Sequence, residues 1–184
     1  MAKEITAKKQ SFIKVYNLLP ALPSAKAQFD FAKFIDFRRT LKGAIADYLD
    51  FTQERKDKIA DIRETYFKEN IKDIQEEFVD LKAIKNRKPE QEQRMQEIGG
   101  LLQGAENKVL LLSEPFEIEI QEEFKAQTEK IKWVFDQEDF NFVKDLFINN
   151  LASLVNSKES ERMNLELADE LESFFAQETP NKTK

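Results

Sequence analysis

SEPFEIEIQEEF, residues 113–124, is the stretch on which the fold turns. Elsewhere apolar residues recur at helical spacing, but here Phe116, Ile118 and Ile120 alternate with Glu117, Glu119 and Gln121. Period-two alternation predicts a half-buried strand over 116–120. A strand with unpaired backbone groups needs a partner. The other β-compatible segment is Lys3–Thr6. The expectation is therefore a two-stranded ribbon joining 3–6 to 116–120, with helices covering its apolar side because two strands alone are marginal.

The remaining pattern is helical. Phe12, Val15, Tyr16 and Leu19 share one face, and Pro20 and Pro23 stop that helix. Ser24 is placed to cap the next one. Phe34, Phe37, Leu41, Ile45 and Tyr48 form a stripe, which polar residues 52–58 interrupt. It resumes at Ile59, Ile62 and Tyr66, then Ile71, Ile74, Phe78 and Leu81. An unbroken helix from 25 to 86 would be about 90 Å long, and a break near Lys68–Asn70 is expected. Pro89 suits the first position of a returning helix, so Asn86–Pro89 reads as a hairpin turn. The returning helix is expected to run to 112, with Gly99, Gly100 and Gly104 along it. Helices are expected over 121–135, 138–156 and 159–177. The arm around 52–58 reads as an intramolecular hairpin or as a coiled-coil contact with another chain.

Composition excludes whole classes of chemistry. The chain of 184 residues contains no Cys and no His. Disulfides, thiolate nucleophiles, Cys-ligated zinc and Ser-His-Asp catalysis are therefore unavailable. No phosphate-loop, GxGxxG or calcium-loop motif is present. Gly99–Gly104 lies inside a helical pattern and matches none of these. No catalytic residue, cofactor site or metal site is assigned. No apolar run approaches the roughly 20 residues of a membrane span. No signal peptide is read at the start. The expected location is a host cytoplasm or a particle, neither secreted nor membrane-bound.

The net charge of −6 conceals a gradient. Residues 1–45 hold nine Lys/Arg against three Asp/Glu, while 113–184 hold eight against seventeen. That polarity serves either a partner or attraction within the fold. Lys8, Lys9, Lys14, Arg38, Arg39 and Lys42 are a candidate basic face. An acidic protein partner fits that face better than nucleic acid does, because the interleaved aromatics have core spacing. Glu166, Asp169 and Glu170 are the acidic candidates, and a solvated helix face is their plain alternative. Trp133, the single Trp, lies about 200° from Ile131 and Phe135 at helical spacing. It either packs under a neighbouring element or anchors a partner.

The layout as a whole has a resemblance. FAKFIDFRRTLKGAIADYL (31–49), EPFEIEI (114–120) and LADELESFF (167–175) follow a short N-terminal strand and bracket a charged arm. This order resembles small proteins from phages of low-GC bacteria, grouped in a domain family of unknown function. The two prolines before residue 31 and the long middle arm depart from that pattern. The resemblance implies a phage origin, no enzyme activity and no transferable site residue.

Together these readings predict a mainly α fold, a helical bundle with a protruding long helical hairpin and a small two-stranded ribbon. Residues 1–178 are read as one domain with 50–108 as the arm, and 179–184 as a disordered tail. The expected function is non-enzymatic: a phage interaction protein, either a virion component or an assembly factor, binding a phage structural protein, a host protein or itself. The alternative is an acidic inhibitor of a host defence or nucleic-acid-binding protein.

Overall fold

The computed structural model describes residues 1–22, 30–156 and 165–177, apart from the side chains of 21, 150–156 and 165–167. Among these, the fold is mainly α with a small antiparallel ribbon. Strand β1 spans Ala2–Lys8 and is followed by α1 (Lys9–Leu18) and a 3-10 turn (Leu19–Ala21). Helices α2 (Phe31–Ala44), α3 (Ala46–Asn70) and α4 (Lys72–Ala83) come next. Then come α5 (Pro89–Ala126), strand β2 (Lys130–Asp136), α6 (Gln137–Asn156) and α7 (Leu165–Phe175). Ser24 and the 179–184 tail lie outside the described residues. So do residues 159–164 of the predicted last helix. The chain divides into two compact units: Met1–Leu49 with Phe124–Lys184, and Asp50–Glu123.

The ribbon exists, but its second strand is not where the alternation in EPFEIEI placed it. β1 pairs with β2, in the register Lys3↔Phe135, Ile5↔Trp133 and Ala7↔Ile131. Residues 116–120 are instead α-helical, in the interior of α5. The physical reason is that Phe116 and Ile120 are four apart. The same residues that alternate also fall on one helical face, and both are half-buried while Ile118 is exposed. Nor does the returning helix end at 112 as expected: it runs through Pro115 to Ala126. Pro115 withholds the N–H that the Leu111 carbonyl would accept. Two residues earlier, the buried Ser113 hydroxyl donates to the Val109 carbonyl at 2.8 Å.

The helix predicted over 121–135 is corrected by the same pairing. KIKWVFD alternates: Ile131, Trp133 and Phe135 face inward and Lys130, Lys132, Val134 and Asp136 outward. An off-stripe Trp on a helix becomes an in-register Trp on a strand.

In the first unit the core is a cluster of phenylalanine rings. Phe37 stacks on Phe135 at 5.0 Å between centroids and lies 6.2 Å from Phe140. Phe12 meets Phe174 edge-on at 5.1 Å, and Phe147 meets Phe175 at 4.9 Å. Helix ends are closed locally. Asp30 accepts from the amides of Ala32 and Lys33 to cap α2. Asp136 does the same for α6, accepting from Glu138 and Asp139. The Gln10 side chain donates to the carbonyls of Phe124 and Lys125 in the last turn of α5, and the Phe124 carbonyl also accepts the Gln127 amide. The α1 amides of Lys9 and Gln10 donate to the Glu129 and Gln127 carbonyls.

The second unit is an antiparallel helical hairpin. α4 ends at Ala83, the chain turns, and α5 starts on Pro89. Arg55 pairs with Glu119, Arg63 with Glu106 and Arg94 with Glu77, so the contacts climb the hairpin in steps. The predicted break near Lys68–Asn70 falls at Ile71, between α3 and α4, where φ is −129° and ψ −6°. A second break falls at Ile45, between α2 and α3, with φ −128° and ψ 22°. Ile45 is fully buried in the first unit.

Candidate functional site

The charged residues picked out from the sequence mostly meet one another. Lys14 and the Ser11 hydroxyl both bind the Glu170 carboxylate. Burial alone would raise the Glu170 pKa, but the bonds from Lys14 and Ser11 outweigh it and hold the carboxyl below its usual value. Lys9 is buried and pairs with Asp47 and, at 3.8 Å, with Glu129. The hydrogen bond from Lys9 leads in lowering the Asp47 pKa. Attraction between the basic start and the acidic end of the chain thus operates inside the fold.

The other candidates separate. Arg38 and Arg39 are exposed on α2, Arg38 over the Tyr16 ring at 5.5 Å and Arg39 paired with Asp36 at 2.7 Å. Lys42 is exposed in the last turn of the same helix. Asp169 is exposed on α7, and the Glu166 side chain lies outside the described residues. Trp133 is half-buried on the inner face of the ribbon, against the core. It packs on α2 so closely that a Cβ at Gly43 would sit 3.3 Å from its ring. Gly43 is where the missing side chain matters: it gives the indole its seat.

Asp30, Asp36, Asp136 and Asp139 approach one another around Lys33, which pairs with Glu138 at 3.2 Å. Burial, then the charges of Asp136 and Asp36, raise the Asp139 pKa. Two of these carboxylates are helix caps. Among the described residues, no group of His, Cys, Asp or Glu could hold a metal ion. No helix among them is long and apolar enough to cross a membrane.

What remains unexplained is the outer side of α5. Ile98, Ala105, Val109 and Ser113 are buried, and define the inner side of the helix. Opposite them, at 100° per residue, lie Gly100, Gly104, Leu111 and Ile118. Leu111 is 64% exposed, Leu110 66% and Ile118 46%. A Cβ built at Gly100 or Gly104 would meet nothing within 4 Å. Asn107, Leu110, Leu111, Glu114 and Glu117 line a shallow groove along this side. Large apolar side chains scattered singly on a surface need no explanation, but a contiguous strip does. The sequence did carry a signal for it. Three consecutive leucines, 110–112, cannot all face one partner helix at 100° per residue. The strand reading of 116–120 hid Ile118 from the same strip.

Comparison with protein-family models, curated proteins and solved structures finds no match to this chain.

Proposed function

We propose that this protein is a non-enzymatic protein–protein interaction protein whose working surface is the outer side of α5. The observation that carries this reading is the exposed strip Leu110, Leu111 and Ile118, with the open backbone at Gly100 and Gly104 beside it. Burying such a strip removes apolar area from water at roughly 25 cal/mol per Å², which favours association without any catalytic group. A sequence devoid of Cys and His supports the same class of work. The likeness of the element order to small phage proteins extends the proposal to a virion component or an assembly factor. The acidic-inhibitor alternative draws less support, because Glu170 is engaged by Lys14 and Ser11.

The test is capture of partners from a lysate of phage-infected cells, using the tagged protein and its Leu111→Asp variant, washed at low and at high salt. Capsid or tail proteins that survive high salt and are lost with the variant are the expected result. A host nuclease or defence protein released by salt, and captured equally by the variant, overturns the reading in favour of the inhibitor.

A further inference from the structure

We propose that the outer edge of β2 is a docking site for an extended segment of a partner protein, which adds as a third, antiparallel strand with carboxylates opposite Lys130 and Lys132. The site belongs to the first compact unit, whereas the strip on α5 belongs to the second. The backbone points to it first. An antiparallel ladder bonds alternate residue pairs and turns the others outward. At the two ends of the ribbon, the Lys9 amide donates to the Glu129 carbonyl at 2.9 Å and the Gln137 amide to the Met1 carbonyl at 2.8 Å. The odd-numbered pairs, such as Ile5↔Trp133, are therefore the hydrogen-bonded ones. The even-numbered pairs, Glu4↔Val134, Thr6↔Lys132 and Lys8↔Lys130, turn their backbone groups away from each other. Thr6 agrees with this alternation, because its amide donates to the Gln177 side chain at 3.0 Å.

The two edges of the ribbon differ. On the β1 edge, Gln177 takes the Thr6 amide. On the β2 edge, the outward amides and carbonyls of Lys130, Lys132 and Val134 have no hydrogen-bond partner among the described residues. These groups recur about 7 Å apart along the strand. A row of donors and acceptors at that spacing is matched by an extended chain and not by a helix, whose backbone bonds are spent within itself. β2 contains no Pro to blunt the edge. Antiparallel addition is the more stable of the two directions.

The side chains select the chemistry of the partner. Lys130 and Val134 are exposed, and Lys132, which pairs with Glu4 at 2.7 Å, still has 63% of its side chain in solvent. All three share the outer face of the ribbon. Residues directly opposite across a strand pair lie about 5 Å apart. Carboxylates at alternate positions of the added strand thus meet both lysines, and a β-branched residue covers Val134. The same lysines turn a basic strand away. On the inner face Trp133 is half-buried, so an apolar residue opposite it gains cover. A second copy of β2 fits less well. Its single carboxylate, Asp136, already caps α6 and lies 3.9 Å from the Met1 amine.

The probe is an acetylated and amidated peptide, Thr-Thr-Val-Ile-Glu-Val-Glu, whose residues in that order face Asp136 back to Lys130. Its binding to the full chain is followed by fluorescence anisotropy and by amide hydrogen exchange. The expected result is saturable binding that slows exchange at Lys132 and Val134. The same residues in reverse order bind several-fold more weakly. Lys130→Glu weakens the binding several-fold, and a peptide with Lys in place of its last Glu recovers it. Val134→Pro removes an outward N–H that β1 does not use, as an edge strand tolerates, and abolishes binding. Absence of binding overturns the proposal, as does binding indifferent to both Lys130→Glu and Val134→Pro. Equal binding of the reversed peptide overturns the antiparallel arrangement. A chain that dimerises by itself in sedimentation equilibrium, and ceases to with Val134→Pro, gives the edge to a second copy and overturns the partner.

Discussion

The two compact units solve the problem of staying folded differently. The unit formed by 1–49 and 124–177 buries seven phenylalanines: Phe12, Phe37, Phe135, Phe140, Phe147, Phe174 and Phe175. Their rings come from five elements, α1, α2, β2, α6 and α7. The 50–123 unit has a much thinner interior, in which Ile71, Ile98, Ala105 and Val109 are the buried apolar residues. Its two sides are linked instead by Arg55–Glu119, Arg63–Glu106 and Arg94–Glu77. Cations also lie on its rings, with Arg55 3.8 Å from the centroid of Phe51. Exposed ion pairs contribute little each. The contrast teaches that a hairpin can keep its register with charges while leaving apolar residues such as Leu111 outside. A ring cluster cannot, because each ring is stabilised only by being surrounded.

The sharpest break in this comparison is Phe37→Ala. Phe37 touches rings from β2, α6 and α7, so its removal leaves a cavity that several elements would have to close. A loss of about 3–5 kcal/mol is expected, read by chemical denaturation. A loss below about 1 kcal/mol would mean that the cluster is loosely packed. Next in size is Ile98→Ala, at the fully buried centre of the hairpin seam. About 2 kcal/mol is expected, the low end for such a truncation, because a thin seam closes up more readily. Hydrogen exchange should show the change in amides of 50–123 and leave those around Phe12 and Phe37 unaltered. Equal acceleration in both would dissolve the distinction between the units.

The smallest effect concerns the carboxylate that joins α7 to α1. The Glu170 pKa is lowered in the folded protein. A carboxylate lowered on folding stabilises fully above its unfolded value of about 4.3, and that contribution is lost as pH falls through the folded value. Melting temperature followed against pH should therefore show wild type above Glu170→Gln near neutrality. The two curves should converge below about pH 4. Curves that stay parallel throughout would remove Glu170 from the links that hold the first unit.

Much of this was legible locally. The hairpin turn followed from Pro89, which has no N–H to lose at the first helical position. The break at Ile71 was anticipated within a few residues, and the N-terminal strand was placed correctly at Lys3–Thr6. The candidate site was less legible. Lys14 and Glu170 are 156 residues apart, and nothing in either neighbourhood says that they meet. Trp133 was judged against a helical stripe because Ile131 and Phe135 are four apart, a spacing that strand and helix share. The fact that it fell off that stripe was itself the mark of period two. Leu111 and Ile118 were divided between the end of a helix and a strand that does not exist, so their common side was invisible.

The sequence by itself determined the helical class, the hairpin turn, the existence of a ribbon and the absence of Cys and His chemistry. Each of these depends on residue type or on spacing within one turn or one strand. Only the tertiary structure decided which segment became the second strand. Both EPFEIEI and KIKWVFD can present an apolar side, and the helical form of EPFEIEI is kept although Pro115 removes a hydrogen bond from it. KIKWVFD pairs with β1 because its inward residues find cover: Phe135 among the rings of Phe12, Phe37 and Phe140, and Trp133 on the bare backbone of Gly43. In EPFEIEI, Phe116 and Ile120 reach a helical partner side while Ile118 is left in solvent. Burial of side chains against distant elements, and not local preference, set the choice.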